Sequence, residues 1–236
     1  MTWALRRRLA VPGLGNFPRG LAACARDHCL CVSDFDNSFV HRVKLTGNNE
    51  VKKWSTARGP VGLAVNADHN LLVICRSECS LQEFTVRGAQ LLRNIQLQAD
   101  IERPQYAIQL TTDRFLVSHD GSLHRVCLVD GNGTVVRSCG GQMGDHLTKM
   151  ERPRGLATDQ HGNVLNADMS NGRLLVLDRT LTSAREMCVS KDGVVVLKAP
   201  RSLWYDETRG RLYVGEGGES SLVVVERLND FTAFRV

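Results

Sequence analysis

The chain has 236 residues, 42% hydrophobic and 23% charged, with a formal net charge of +5. That composition suits a core-forming protein and excludes wholesale disorder, and no apolar run reaches the ~20 residues a membrane-spanning helix needs. The charge is lopsided. Residues 1–58 carry ten Lys and Arg against four acids and the remainder twenty against twenty-one, so the basic character belongs to one end of the chain.

Residues 1–26 hold Arg6, Arg7, Arg8, Arg19 and Arg26 and no acid, a balance that superficially suits a transit peptide. Pro12, Gly13, Gly15 and Pro18 break any helix there, and the arginines interrupt the apolar segment a secretory signal would need. From Pro18 onward a phrase recurs, with Pro first, a small residue soon after, and then an apolar stretch. It reads Pro18-Arg19-Gly20-Leu21-Ala22, Pro60-Val61-Gly62-Leu63-Ala64, Pro104-Gln105-Tyr106-Ala107-Ile108, Pro153-Arg154-Gly155-Leu156-Ala157 and Pro200-Arg201-Ser202-Leu203-Trp204. The prolines are 42, 44, 49 and 47 residues apart, a period that marks a repeat architecture.

Each copy continues alike. In the fourth, the spacing predicts a strand over residues 155–158, a turn at Asp159-Gln160-His161-Gly162-Asn163, and a second strand over 164–167. A polar turn over 168–172 leads to a third strand over 173–177 and a fourth over 184–188. The third copy offers strands over 114–118, 124–129 and 133–137, with Gly131-Asn132-Gly133 as a hairpin turn. The fifth offers 211–214, 222–225 and 231–236. Four short strands per unit describe a meander. No stretch sustains a 3.6-residue period, so the expected class is all-β. A lone four-stranded sheet leaves both faces bare, and packing sheets radially covers them, so the repeat predicts a β-propeller formed by residues 1–236. Its blades start near residues 18, 60, 104, 153 and 200. Residues 3–9 within the leading segment 1–17 read as the outer strand of a preceding blade, which makes five blades plus an orphan strand, an incomplete six-bladed ring.

The fourth copy, from Pro153 to Asp178, resembles an NHL repeat in its Pro-x-Gly-Leu-Ala, Gly-Asn-Val-Leu-x-Ala-Asp and Asn-Gly-Arg-Leu-Leu-Val-Leu-Asp phrases. The first copy resembles it through Val32-Ser33-Asp34 and His41-Arg42-Val43. In the second copy the usual acid after the second strand is replaced by Cys75-Arg76, and in the third it is shifted to Asp120. The resemblance implies a six-bladed propeller of the kind that ends the tripartite-motif (TRIM-NHL) ubiquitin ligases. On that expectation the chain is the recognition region of such a protein, binding protein or RNA. Ligase chemistry would then reside in a RING domain outside it, and an upstream coiled coil would supply any oligomerisation. The alternative that the resemblance allows is a six-bladed propeller enzyme, a metal-dependent lyase or hydrolase acting on a small molecule.

In a meander the loops entering the first strand and joining the second to the third share one end of the blade. There the sequence gathers a candidate binding rim of Arg19, Arg58, Arg76, Arg103, His119, Arg152, Arg154, Asn171 and Arg201, whose guanidinium forks suit phosphate or carboxylate. The alternative role for rim arginines is pairing with turn acids, as in Asp34 with Arg42 or Asp168 with Arg173. Phe35, Phe39 and Tyr106 are the nearest aromatics for stacking bases, and each suits a core as well. The seven histidines form no H-E-x-x-H, and neither G-x-S-x-G nor a P-loop occurs. The expectation is therefore a chain without catalysis, metal or cofactor. The eight cysteines (Cys24, Cys29, Cys31, Cys75, Cys79, Cys127, Cys139, Cys188) include no C-x-x-C. They read as buried thiols of a reducing compartment, with no membrane association, which points to the cytoplasm.

Overall fold

A computed structural model describes residues 9–87, 89–141, 144, 146, 149–187, 197–217 and 221–226. Its regular structure is nearly all strand. The first sheet runs β1 (Pro18–Cys24), β2 (Cys29–Asp34), β3 (Phe39–Lys44) and β4 (Val51–Ser55), and the second β5 (Pro60–Val65), β6 (Asn70–Cys75), β7 (Ser80–Thr85) and β8 (Leu91–Gln96). The third runs β9 (Pro104–Thr111), β10 (Arg114–Asp120), β11 (His124–Asp130) and β12 (Val135–Gly140). The fourth runs β13 (Pro153–Thr158), β14 (Val164–Asp168), β15 (Arg173–Leu177) and β16 (Ala184–Glu186). The fifth has β17 (Pro200–Asp206), β18 (Arg211–Glu216) and β19 (Leu222–Val225), with one 3₁₀ turn over Glu207–Arg209. Strand order within every sheet follows the chain, and each pairing whose register is resolved is antiparallel. Among the described residues no helix is long and apolar enough to cross a membrane. The strands expected over residues 3–9 and 231–236 lie, apart from residue 9, outside the described residues, as does Cys188.

The chain divides into two compact units, residues 1–78 with 82–94, and residues 79–81 with 95–236. In the first unit Ala22, Cys31, Leu63, Leu71 and Val73 share one buried cluster, formed by the facing sides of the first two sheets. In the second unit β14 and β15 are buried on both faces. Val164, Leu175 and Leu177 pack with Leu116 and Leu156 on one side, and Leu165, Leu174 and Val176 pack with Leu203 and Leu212 on the other. Burial on both faces is why these strands read as unbroken apolar runs and not as polar–apolar alternation.

The proline phrase has a geometric cause. Between Pro18 and Leu21, Pro60 and Leu63, Pro153 and Leu156, and Pro200 and Ser202, the pairing of first and second strands shifts register. A proline that donates no hydrogen bond is tolerated at such a strand start. The strand expected over residues 155–158 thus begins earlier, at Pro153, because Pro153 pairs with Asp168 ahead of the irregularity. In the third sheet the strand expected from residue 133 begins instead at Val135. Gly133, at φ +82°, closes a turn by donating its N–H to the Asp130 carbonyl (2.9 Å), and Thr134 N donates to Asp130 Oδ1 (3.0 Å).

The glycine of the phrase lets neighbouring first strands approach within each unit. A Cβ on Gly20 would lie 2.2 Å from the Val61 carbonyl oxygen, and one on Gly155 would lie 2.9 Å from Leu203 N and 3.0 Å from Arg201 O. Backbone cannot yield as a flexible side chain does. Gly155→Ala is therefore expected to cost about 1–3 kcal/mol through overpacking, read as a lower urea midpoint with an unchanged m-value, whereas alanine at Gly47, which has open space around it, meets only the cost of its positive φ.

Candidate functional site

In the first, third and fourth sheets the turn after the second strand is built around a buried acid. Asp34 is fully buried and accepts from Gly15 N (2.9 Å), Asn37 N (3.3 Å) and Asn37 Nδ2 (2.9 Å), with His41 Nε2 at 3.3 Å. Asp168, in the fourth sheet, accepts from Glu151 N (2.6 Å), Asn171 Nδ2 (2.8 Å) and Arg173 Nε (2.8 Å). The turn residue four positions after each acid, Ser38 and Gly172, has φ of +56° and +64°, and Cys79 stands at the same point of the second sheet at +49°. In that sheet Cys75 takes the acid's place, and Gln82 Oε1 accepts from Ala57 N (2.9 Å) and from Cys75 Sγ (3.6 Å).

The expected Asp168–Arg173 pair is present, and the expected Asp34–Arg42 pair is not. Side chains alternate along a strand, so Asp34 shares its sheet face with His41, and Arg42 points to the other face.

The third sheet departs most from the repeat. His119 pairs with Pro104 where an acid stands elsewhere, and the acid follows at Asp120. Asp120 is 2% exposed and receives Arg154 Nη2 (2.9 Å), Gln105 Nε2 (2.6 Å) and, at longer range, Arg103 Nε (3.8 Å). His119 is fully buried, and its Nε2 accepts from Arg125 Nε (2.9 Å) while the Arg125 Nη2 reaches Asp100. Burial, reinforced by the Arg125 charge, lowers the His119 pKa to about 4, so this imidazole is neutral at pH 7.

The rim residues read from the sequence therefore fall into distinct settings. Asn171, His119 and Arg154 are engaged with protein partners as just described, and Asn171 Nδ2 also reaches the Gly144 carbonyl (2.8 Å). Arg58 is exposed and ion-paired with Glu78. Arg76 is half-buried, with its N–H bonded to the Gly59 carbonyl (2.8 Å). Arg19 lies over Phe35 (5.5 Å to the ring centroid) and Phe17 (5.8 Å). Arg103, Arg152 and Arg201 remain exposed, at the proline-led ends of β9, β13 and β17 in the second unit. The starts of β13 and β17 are side by side, as the contact of Gly155 with the Arg201 backbone requires.

The backbone holds two of these arginines in an unusual conformation. Arg103 and Arg152, each directly before a proline, have φ of +51° and +57°, and Ala199 and Gly59 before their prolines have +54° and +71°. The carbonyls so turned accept from the chain leaving the second strand: Arg152 O from Met169 N (3.4 Å), Ala199 O from Gly217 N (3.0 Å) and Gly59 O from Arg76 N. His124 stands behind Arg152, its Nδ1 accepting the Arg152 N–H (3.2 Å), which leaves Nε2 to carry the ring proton. Sequence reasoning missed Gln105, Asp100 and this role of His124. Only Gln105 carried a signal, as the polar residue that replaces Arg or Val in the proline phrase.

No protein-family model matches the chain, and no curated protein matches it. Solved structures do. A gluconolactonase from Xanthomonas campestris superposes with a TM-score of 0.64 at 14% identity, covering 92% of this chain and 78% of that one. Virginiamycin B lyase from Staphylococcus aureus gives 0.62 at 8% identity, covering 92% and 72%. A chain of a nidogen/laminin complex gives 0.63 at 14% identity, covering 89% and 80%. By fold the chain is a five-bladed β-propeller.

This corrects the functional expectation drawn from the NHL likeness. The reading as a protein- or RNA-binding platform of a tripartite-motif ubiquitin ligase, with no enzymatic activity in the chain, gives way. Propellers that resemble it over nine-tenths of its length include enzymes, and no NHL or tripartite-motif family matches. The physical reason is that the Pro-x-Gly phrase records how first strands approach one another. That constraint is shared by propellers of any function, so the phrase could not carry a particular one. Among the described residues no three His, Cys, Asp or Glu side chains are placed to hold one ion.

Proposed function

We propose that the chain is a propeller enzyme that hydrolyses a small lactone or ester and holds the carboxylate released by that reaction at the proline-led ends of the third, fourth and fifth blades. The observation that carries this reading is the row of exposed guanidiniums, Arg103, Arg152 and Arg201, on adjoining first strands. Hydrolysis of a lactone yields a hydroxy acid, and a planar guanidinium fork matches a carboxylate. The gluconolactonase and the lyase of the same architecture support an enzymatic role. His124 is tied to this rim through the Arg152 N–H on its Nδ1, and its neutral Nε2–H can donate a hydrogen bond to the oxyanion that forms when water adds to the carbonyl. The NHL character of the blades belongs to the same reading, resting on the matched Asp34–Asn37 and Asp168–Asn171 turns.

The test is proton release from glucono-1,5-lactone and a panel of related lactones and esters, at pH 7 with and without divalent cations. Saturable turnover above the spontaneous rate is expected. Replacing Arg152 and Arg201 together by alanine should raise the inhibition constant for product gluconate at least tenfold, and His124→Ala should lower kcat by about 10²-fold, the low end for losing one oxyanion donor. Spontaneous rates with the wild-type protein throughout the panel would overturn the proposal.

A further inference from the structure

Three cysteines and one arginine occupy a single face of the first sheet. Cys24 and Cys29 are directly opposite each other on β1 and β2, and Cys31 is opposite Arg42 on β3. The two-residue alternation of strands puts all four side chains on the same side. They are buried, at 2%, 1% and 0% exposure for the cysteines and 8% for Arg42. Arg42 has no hydrogen-bond partner for its buried Nε, and among the described residues no carboxylate pairs with it. A desolvated guanidinium without a counter-charge is costly, and the groups it faces are thiols. Cys24 is held as a thiol, its Sγ donating to Asp27 Oδ2 (3.4 Å), and Asp27 is itself ion-paired with Arg87.

We propose that Cys29 and Cys24 form a peroxide-sensitive thiol pair, with Cys29 attacking the peroxide and Cys24 resolving the product into a cross-strand disulfide. In the first step the Cys29 thiolate attacks hydrogen peroxide and the O–O bond breaks. Cys29 is oxidised by two electrons to a sulfenic acid, and the departing hydroxide is protonated to water. In the second step Cys24 Sγ attacks Cys29 Sγ and the S–O bond breaks. The Cys24 proton leaves with the hydroxide as a second water. Arg42 supplies the positive charge that favours the attacking thiolate. Hydrogen bonding from Cys31, together with Arg42, holds the Cys29 pKa below the ordinary thiol range, while burial raises that of Cys24.

Geometry selects Cys24 over Cys31 as the resolving group. Opposite residues of an antiparallel pair have Cα atoms about 4.5–5.5 Å apart, inside the range a disulfide spans. Residues two apart on one strand are about 6.6 Å apart, at the far limit of that range. The hairpin joining β1 and β2 is exposed at Ala25, Arg26 and His28, so a small oxidant has a short path to the pair when the turn opens.

The experiment treats the whole chain with hydrogen peroxide and maps it by non-reducing peptide mass spectrometry, with and without dimedone to trap sulfenic acid. Wild type is expected to lose two hydrogens in a Cys24–Cys29 cross-link, and Cys24→Ser to accumulate a dimedone adduct on Cys29. Arg42→Gln should slow oxidation at least tenfold, with Arg42→Lys restoring part of the rate. Circular dichroism identifies any variant that fails to fold. In that event the rate of native-state alkylation at Cys29, compared with buried Cys127 in the wild-type protein, carries the test. Oxidation no faster at Cys29 than at Cys127 would overturn the proposal, and so would a Cys29–Cys31 cross-link in place of Cys24–Cys29.

Discussion

Asp168→Ala is expected to be among the most damaging single substitutions in the second unit, lowering stability by about 3–5 kcal/mol, the cost of leaving one partner of a buried ion pair uncompensated. Asp168 is fully buried and Arg173 is 8% exposed, so neither charge has water to fall back on. The carboxylate also satisfies Glu151 N and Asn171 Nδ2, and its loss strands three donors at once. Arg173 keeps the His146 and Lys149 carbonyls at 2.9 Å each and the Glu186 carboxylate at 3.7 Å, which holds the loss towards the lower end of that range. A chain of this size should lose about 2–4 °C in Tm per kcal/mol. Scanning calorimetry of Asp168→Ala against Asp206→Ala provides the control. Asp206 caps only the exposed one-turn helix, so its removal should cost far less. Equal effects would contradict this assignment of roles.

The second large effect concerns pH. His119 has its pKa lowered to about 4 by burial and by Arg125, against 6.5 when exposed. Between those values the unfolded chain binds a proton that the native chain refuses. This contribution to stability is therefore complete above pH 6.5 and declines as pH falls towards 4. A shift of that size amounts to about 3 kcal/mol. Below pH 4 the carboxylates held acidic by hydrogen bonds, Asp34 and Asp178 among them, add their own losses. Urea unfolding at pH 7.5, 6, 5 and 4.5 should show a steady fall in wild type. His119→Gln keeps an acceptor for Arg125 without a titrating ring and should be nearly flat over the same interval. A wild-type stability that does not change between pH 7.5 and 4.5 would show that His119 titrates normally.

The fold was legible because two physical demands mark the blades. A proline is allowed where the first strand starts, and a small residue is needed where neighbouring first strands meet at Gly20 and Gly155. Strand bounds shifted by a few residues where a register irregularity or a turn glycine intervened, as at Pro153 and Gly133. The Asp168–Arg173 pair was readable from its spacing. The partner of Asp34 was not, because choosing between His41 and Arg42 requires knowing which face of β3 the turn presents. The third blade hid its polar cluster for a related reason. Arg125, Asp100 and His119 are brought together by strand pairing and a loop, and no linear motif records that. Function was the least legible layer. A repeat shaped by packing says how blades meet, while the proposed chemistry rests on a few arginines and a histidine at their ends.

Hydrogen–deuterium exchange with saturating gluconate, the acid that opening of its lactone produces, probes the rim most directly. Slowed exchange is expected in peptides covering residues 102–106, 151–155 and 199–203, where Arg103, Arg152 and Arg201 flank the strand-starting prolines. Protection confined to other surfaces, or none at any gluconate concentration while the lactone is turned over, would contradict carboxylate binding at the proline-led ends.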